Sequence, residues 1–192
     1  MHGLIHRCVE VFIRERHGDP VWTQLASLSG VDPRGFRPFR RYAAKQCDAL
    51  LRAAAAHLSL GRMELLEDLG HWVARIEQIR RILRFSGSDF GDFLFALEYL
   101  RARAEMVLPG LDLPQVKVSQ SGPSRFTLHL RGAPGDWTAA LCGLVRAMAD
   151  DYGVLAVVEQ ARRRIIVEIP DASFSAGRHF SLAAPDGARL VQ

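Results

Sequence analysis

The chain has 192 residues, 48% of them apolar and 24% charged, which is enough for a substantial core and excludes extensive disorder. Its 3 cysteines are too few for a disulfide framework, so a reducing, cytoplasmic setting is expected. The net charge of +4 rests on arginines scattered among acidic residues, a pattern of solvated surface that speaks against a nucleic-acid partner.

Apolar positions from Leu4 to Phe12 recur at helical spacing and stop at Gly18-Asp19-Pro20, which predicts one N-terminal helix followed by a loop through Gly30, Pro33, Gly35 and Pro38. Tyr42 to Leu58 predicts a second helix. Met63–Leu69 and Trp72–Phe85 predict two more on either side of Gly70, the latter with Arg75, Arg80, Arg81 and Arg84 on a solvated face. Ser88 and Asp89 stand where an N-cap belongs. An apolar stripe, Phe90 to Leu108, then runs to Pro109-Gly110 and is the clearest helical signal in the chain.

Beyond Pro114 the period falls to 2. Val116–Val118 and Phe126–Leu130, separated by Ser121-Gly122-Pro123, predict a hairpin. Asp136 to Tyr152 predicts a helix, and Val154–Val158 with Ile165–Ile169 a second strand pair around Arg162-Arg163-Arg164. The order implies an α+β domain over residues 1–170, helical over 1–112 and α+β with a four-stranded antiparallel sheet over 113–170. Residues 171–192, anchored by Phe174 and Phe180, are expected to form an appendage. No segment approaches the ~18 apolar residues of a membrane span, and no secretory signal opens the chain. Phosphate loops, Cys-x-x-Cys, His-Glu-x-x-His and Gly-x-Ser-x-Gly are absent, and no nucleophile, base and orienter share a usable spacing, so an enzyme is not expected.

Several segments occur together in one order: Met1-His2-Gly3-Leu4-Ile5, Gly18-Asp19-x-Val21-Trp22, Leu65-Leu66-x-x-Leu69-Gly70-x-Trp72-Val73, and Phe93-Leu94-x-Ala96-Leu97 running to Pro109-Gly110-Leu111. Leu128-His129, Gly143-Leu144 and Ile165–Ile169 follow. In this order the chain resembles the haem nitric oxide and oxygen binding family (H-NOX, HNOB), sensory domains also found in soluble guanylate cyclases. The resemblance implies a haem held by a histidine on the helix before Pro109, and a Tyr-x-Ser-x-Arg clamp on the propionates. Here Arg101 stands in the histidine's place, and Leu130, Gly132 and Pro134 in those of the clamp. A guanidinium has no lone pair for iron, so no resident cofactor is expected, although the resemblance implies haem.

Ile5, Pro114 and Leu144 match apolar residues with which the family surrounds its cofactor. Together with Leu97, Arg101, Ala104 and Leu130 they define a candidate ligand pocket. Two readings stay open, a retained pocket or a collapsed core. Arg101 would be answered either by Glu98 or Glu105 on its own helix, or by the head group of a fatty acid or other anionic amphiphile. His129, one position from Leu130 on a strand, would face away. His2, His6 and Cys8 form a weak metal constellation, and Cys47 and Cys142 read as buried small hydrophobes. The resulting expectation is a non-enzymatic, haem-independent sensory module that signals to a partner such as a histidine kinase or a cyclic-dinucleotide enzyme. The alternative is a haem-based sensor of nitric oxide or oxygen with unconventional axial ligation.

Overall fold

In the computed structural model, which describes residues 1–111, 113–132 and 135–170, helix α1 (Gly3–His17) starts on a histidine cap. His2 Nδ1 accepts the Leu4 N–H at 3.2 Å, satisfying one of the donors a helix start leaves open. The helix stops at Gly18, whose φ of +90° an L side chain rarely adopts. A second helix, α2 (Asp19–Leu28), follows at once. The Gly18-Asp19-Pro20 break thus opens a helix rather than a loop: a proline in the first turn costs nothing, since its missing N–H would have had no intrahelical partner.

Helix α3 spans Ala44–Leu58 and α4 Arg62–Arg75. Gly70 lies inside α4, and the expected break comes instead at Ile76, whose extended backbone separates α4 from α5 (Glu77–Arg84). The α5 arginines are solvated as expected and partly paired, Arg80 with Asp151 at 2.6 Å and Arg81 with Glu77 at 2.6 Å. Asp89 caps α6 (Phe90–Ala96) by accepting the Asp92 N–H at 2.8 Å. The long helix expected to run to Leu108 is divided here: a 3₁₀ turn over Leu97–Tyr99 separates α6 from α7 (Leu100–Val107).

Strands β1 (Gln115–Gln120) and β2 (Arg125–Arg131) form the expected hairpin, α8 spans Gly135–Tyr152, and β3 (Val157–Ala161) and β4 (Arg164–Glu168) form the second. Both strands of that second pair are displaced from the predicted limits, because Val154 to Ala156 form the approach to β3 and Arg164 already belongs to β4. The sheet is antiparallel in the order β1-β2-β4-β3. Its inner face carries Val116, Phe126, Leu128, Leu130, Ile165 and Val167, all buried against α6 and α8.

Two apolar clusters result. One joins α1 to α4 around Ile13, Trp22, Leu25, Leu50 and Leu65; the other joins α6, α8 and the sheet around Phe90, Phe93, Leu128, Met148 and Ile165. Each such side chain contributes about 1.5–3 kcal/mol when fully buried. Helices α4 and α8 belong to both clusters, and Arg62 ties their ends together: it meets Asp136 at 2.6 Å and Asp48 at 3.0 Å. Residues 171–192, with the expected appendage and its Phe174 and Phe180, lie outside the described residues. No helix among the described residues is long and apolar enough to cross a membrane.

Candidate functional site

Helix α7 is where the sequence places its departure from the family, and none of its residues is buried. Leu100 is half-buried and packs on the sheet-side cluster, Ala104 is half-buried, and Met106 and Val107 are 78% and 77% exposed. Arg101 is exposed, so the desolvation cost expected of a cation in an apolar wall does not arise. Glu98 Oε1 accepts the Val118 N–H at 2.7 Å, and Glu105 Oε1 accepts the Gly110 N–H at 2.9 Å. Glu98 thereby pins the 3₁₀ turn to β1, and its other oxygen lies 3.7 Å from Lys117 Nζ.

The seven candidate pocket residues fall in three settings. Leu97 and Leu130 are buried in the sheet-side cluster, and Leu144 on α8 packs against it half-buried. Ile5 on α1, Ala104 on α7 and Pro114 before β1 are half-buried, outside both clusters. Arg101 is the exposed member. The sequence reading missed Arg41, which connects the start of α1 with the turn after α7: it bridges to His2, and a Cβ at Gly110 would overlap its guanidinium. Only a folded chain brings these three segments together.

The donor chemistry decides how a haem could be held. Between Leu100 and Val107 there is no histidine, cysteine or tyrosine, and the Arg101 guanidinium cannot ligate iron. A histidine-ligated haem therefore does not fit this helix. Along β2 the alternation is as expected: Leu130 is buried while His129 and Arg131 are exposed on the opposite face. Gly132 is exposed at φ +70°, and Pro134 lies outside the described residues.

Of the other histidines, His2, His6 and His71 are engaged elsewhere. His2 caps α1, and buried His6 places its ring nitrogens 3.4 Å from the carbonyl oxygens of His2 and Ala43. Burial holds His6 below its ordinary pKa, outweighing those two contacts. His71 is lowered as well, first by burial and then by Arg75, whose Nε donates to its Nε2 at 2.9 Å. Burial pushes the Cys8 thiol up to about 12 and Cys47 and Cys142 to about 11, so all three are poor thiolates. Among the described residues no group of three or more His, Cys, Asp or Glu could hold a metal ion.

The chain matches the family described as Haem-NO-binding (HNOB) over residues 2–160. It is 23% identical over 155 residues to the soluble guanylate cyclase gcy-31 of Caenorhabditis elegans, a match that covers 79% of this chain and 22% of that protein. The chain thus spans about a fifth of the length of that curated relative. Among solved structures it resembles a mutant H-NOX of T. tengcongensis, with a TM-score of 0.75, 12% identity and coverage of 89% of this chain and 98% of that one. An H-NOX protein from S. oneidensis in its Fe(II)NO ligation state gives a TM-score of 0.76 at 14% identity, covering 89% and 100%. With its helices, four-stranded antiparallel sheet and this match, the chain belongs to the H-NOX family of sensory domains.

Proposed function

We propose that this chain is a non-enzymatic, cytoplasmic H-NOX module that works without histidine-ligated haem and passes its signal to a separate partner protein. The observation that carries this reading is the composition of α7, where Arg101 replaces the expected iron donor and no other residue of the helix supplies an imidazole or a thiolate. In this reading the half-buried apolar residues Ile5, Ala104, Pro114 and Leu144, with buried Leu97 and Leu130, receive an apolar or fatty-acid-like ligand. The exposed Arg101 guanidinium meets its carboxylate through a charge-assisted bond at the rim. The partner is a signalling enzyme of the histidine kinase or cyclic-dinucleotide type, by kinship with the family.

Native mass spectrometry of the chain purified from its host, paired with melting curves in added palmitate, tests this reading. The expected result is a bound acyl-chain mass and a palmitate-dependent rise in melting temperature that Arg101→Ala reduces. A chain free of small molecules whose melting is indifferent to palmitate contradicts it.

A further inference from the structure

The strand order β1-β2-β4-β3 gathers onto one end of the sheet's outer face cationic residues that are far apart in sequence. Lys117 on β1 is opposite His129 on β2, and His129 is opposite Arg164 on β4, so the three form one cross-strand row. The Leu130 N–H donates to the Arg163 carbonyl oxygen at 2.9 Å, which brings the β3–β4 turn beside the end of β2. Lys117, His129, Arg131, Arg162, Arg163 and Arg164 line a surface depression of about 630 Å³ there. Lys117 and Arg164 flank His129 in this row, and Arg131, Arg162 and Arg163 line the same depression, so like charges gather there and repel one another. Among the described residues Arg131, Arg162, Arg163 and Arg164 make no ion pair that relieves this; Lys117 alone has a carboxylate, that of Glu98, within 4 Å.

The turn adds an independent observation. Ala161 pairs with Arg164, leaving Arg162 and Arg163 as a two-residue hairpin loop. Arg162 has a φ of +55°, a conformation that glycine adopts without penalty and a side-chain-bearing residue adopts at a cost. A cation is thus kept where glycine would make the easier turn, the kind of local strain that collects at binding sites.

We propose that this depression binds a compact phosphate chain, of the pyrophosphate or triphosphate kind. The positive field ends within the sheet: farther along the same outer face, Glu159 and an Arg125–Glu168 ion pair at 2.8 Å close it off. A polyanionic backbone would need an extended track, so a nucleic acid does not suit it. No phenylalanine, tyrosine or tryptophan lines the depression, and its guanidinium groups outnumber its one imidazole, so recognition is assigned to phosphate oxygens. Guanidinium forks bind phosphate oxygens in pairs, and a volume of about 630 Å³ receives more than one phosphate.

Isothermal titration of the full chain with sodium tripolyphosphate, ATP, orthophosphate and citrate at matched ionic strength tests the site. Saturable one-to-one binding of tripolyphosphate is expected, with orthophosphate and citrate at least tenfold weaker. ATP affinity equal to that of tripolyphosphate assigns the site to the phosphate chain in either carrier and supports the proposal, whereas ATP binding at least tenfold tighter overturns it, because recognition then runs through the nucleoside. Arg131→Gln with Arg163→Gln should weaken tripolyphosphate at least tenfold, whereas Arg52→Gln with Arg81→Gln, an equal change in net charge elsewhere, should change it less than twofold. Arg162→Gly, which relaxes the turn, should weaken binding while melting at the same temperature or higher. Absence of saturation, citrate binding as tightly as tripolyphosphate, or equal losses in the two double variants overturns the proposal.

Discussion

Gly70 on α4 faces the carbonyl oxygen of Ala140 on α8 so closely that a Cβ at position 70 would overlap it. Gly143 on α8 stands in the reciprocal relation to the Glu67 carbonyl oxygen on α4. These two glycines let the helices that share both apolar clusters approach backbone to backbone, and an Arg146–Glu67 ion pair closes the same seam. Because neither obstructing oxygen belongs to a flexible side chain, Gly70→Ala and Gly143→Ala should each cost about 2–3 kcal/mol. Gly61→Ala, at the N-cap of α4 with only ordinary contacts, should cost less, about 0.5–1 kcal/mol. Urea denaturation of the three variants checks the contrast.

Gly70 also shows where the sequence was legible and where it was not. Its helical surroundings were plain, but a glycine required by a neighbouring helix looks, in one dimension, the same as one that ends a helix. Pro20 was similarly ambiguous: a proline breaks a helix from within and suits its first turn, and α2 hung on that difference. The stripe through Leu100, Ala104 and Leu108 has helical spacing, yet α7 buries none of its residues, since periodicity gives a face and not the element that covers it. Arg101 could be read from the sequence because the comparison is position by position. The cationic depression could not, because Lys117, Arg131 and Arg164 become neighbours only through the strand order.

Glu10 is a fully buried carboxylate that fastens α1 to the loop after α2. It accepts the Phe36 N–H at 2.7 Å, pairs with Arg14 at 3.0 Å and with Arg7, and lies where a side chain at Gly35 would go. Glu10→Ala leaves a buried N–H and two cations without their acceptor, and should cost about 3 kcal/mol. Gly35→Ala, which would overlap the carboxylate at a φ of +92°, should be destabilising in the same direction. Thermal melting of both variants at neutral pH measures this.

His6 and His71 make the fold sensitive to mild acid. Both have folded pKa values lowered from 6.5, the first by burial and the second by burial and Arg75. The unfolded chain then binds more protons than the folded one as the pH drops through 6.5 toward the lowered values. Their contribution to stability is complete above that window and is lost within it. The melting temperature should therefore fall between about pH 7.5 and about pH 5.5. Replacing both histidines by glutamine should flatten the profile; an unchanged slope would assign the effect to other groups.

The thiols of Cys8, Cys47 and Cys142 should be silent in the native state, since burial raises all three. Titration with a chromogenic disulfide at pH 8 should show no fast phase in the folded chain and release of 3 equivalents after denaturation.

The central claim is that no residue of this polypeptide takes the place of the displaced iron donor at Arg101. Its most direct test is the absorption spectrum of the full chain mixed with haemin, reduced with dithionite and separated from unbound haem by gel filtration. The expected result is a protein fraction without the Soret band of ligated ferrous haem. A protein fraction that keeps a stoichiometric Soret band, shifts it on adding nitric oxide and loses it when a single histidine is replaced would contradict the claim.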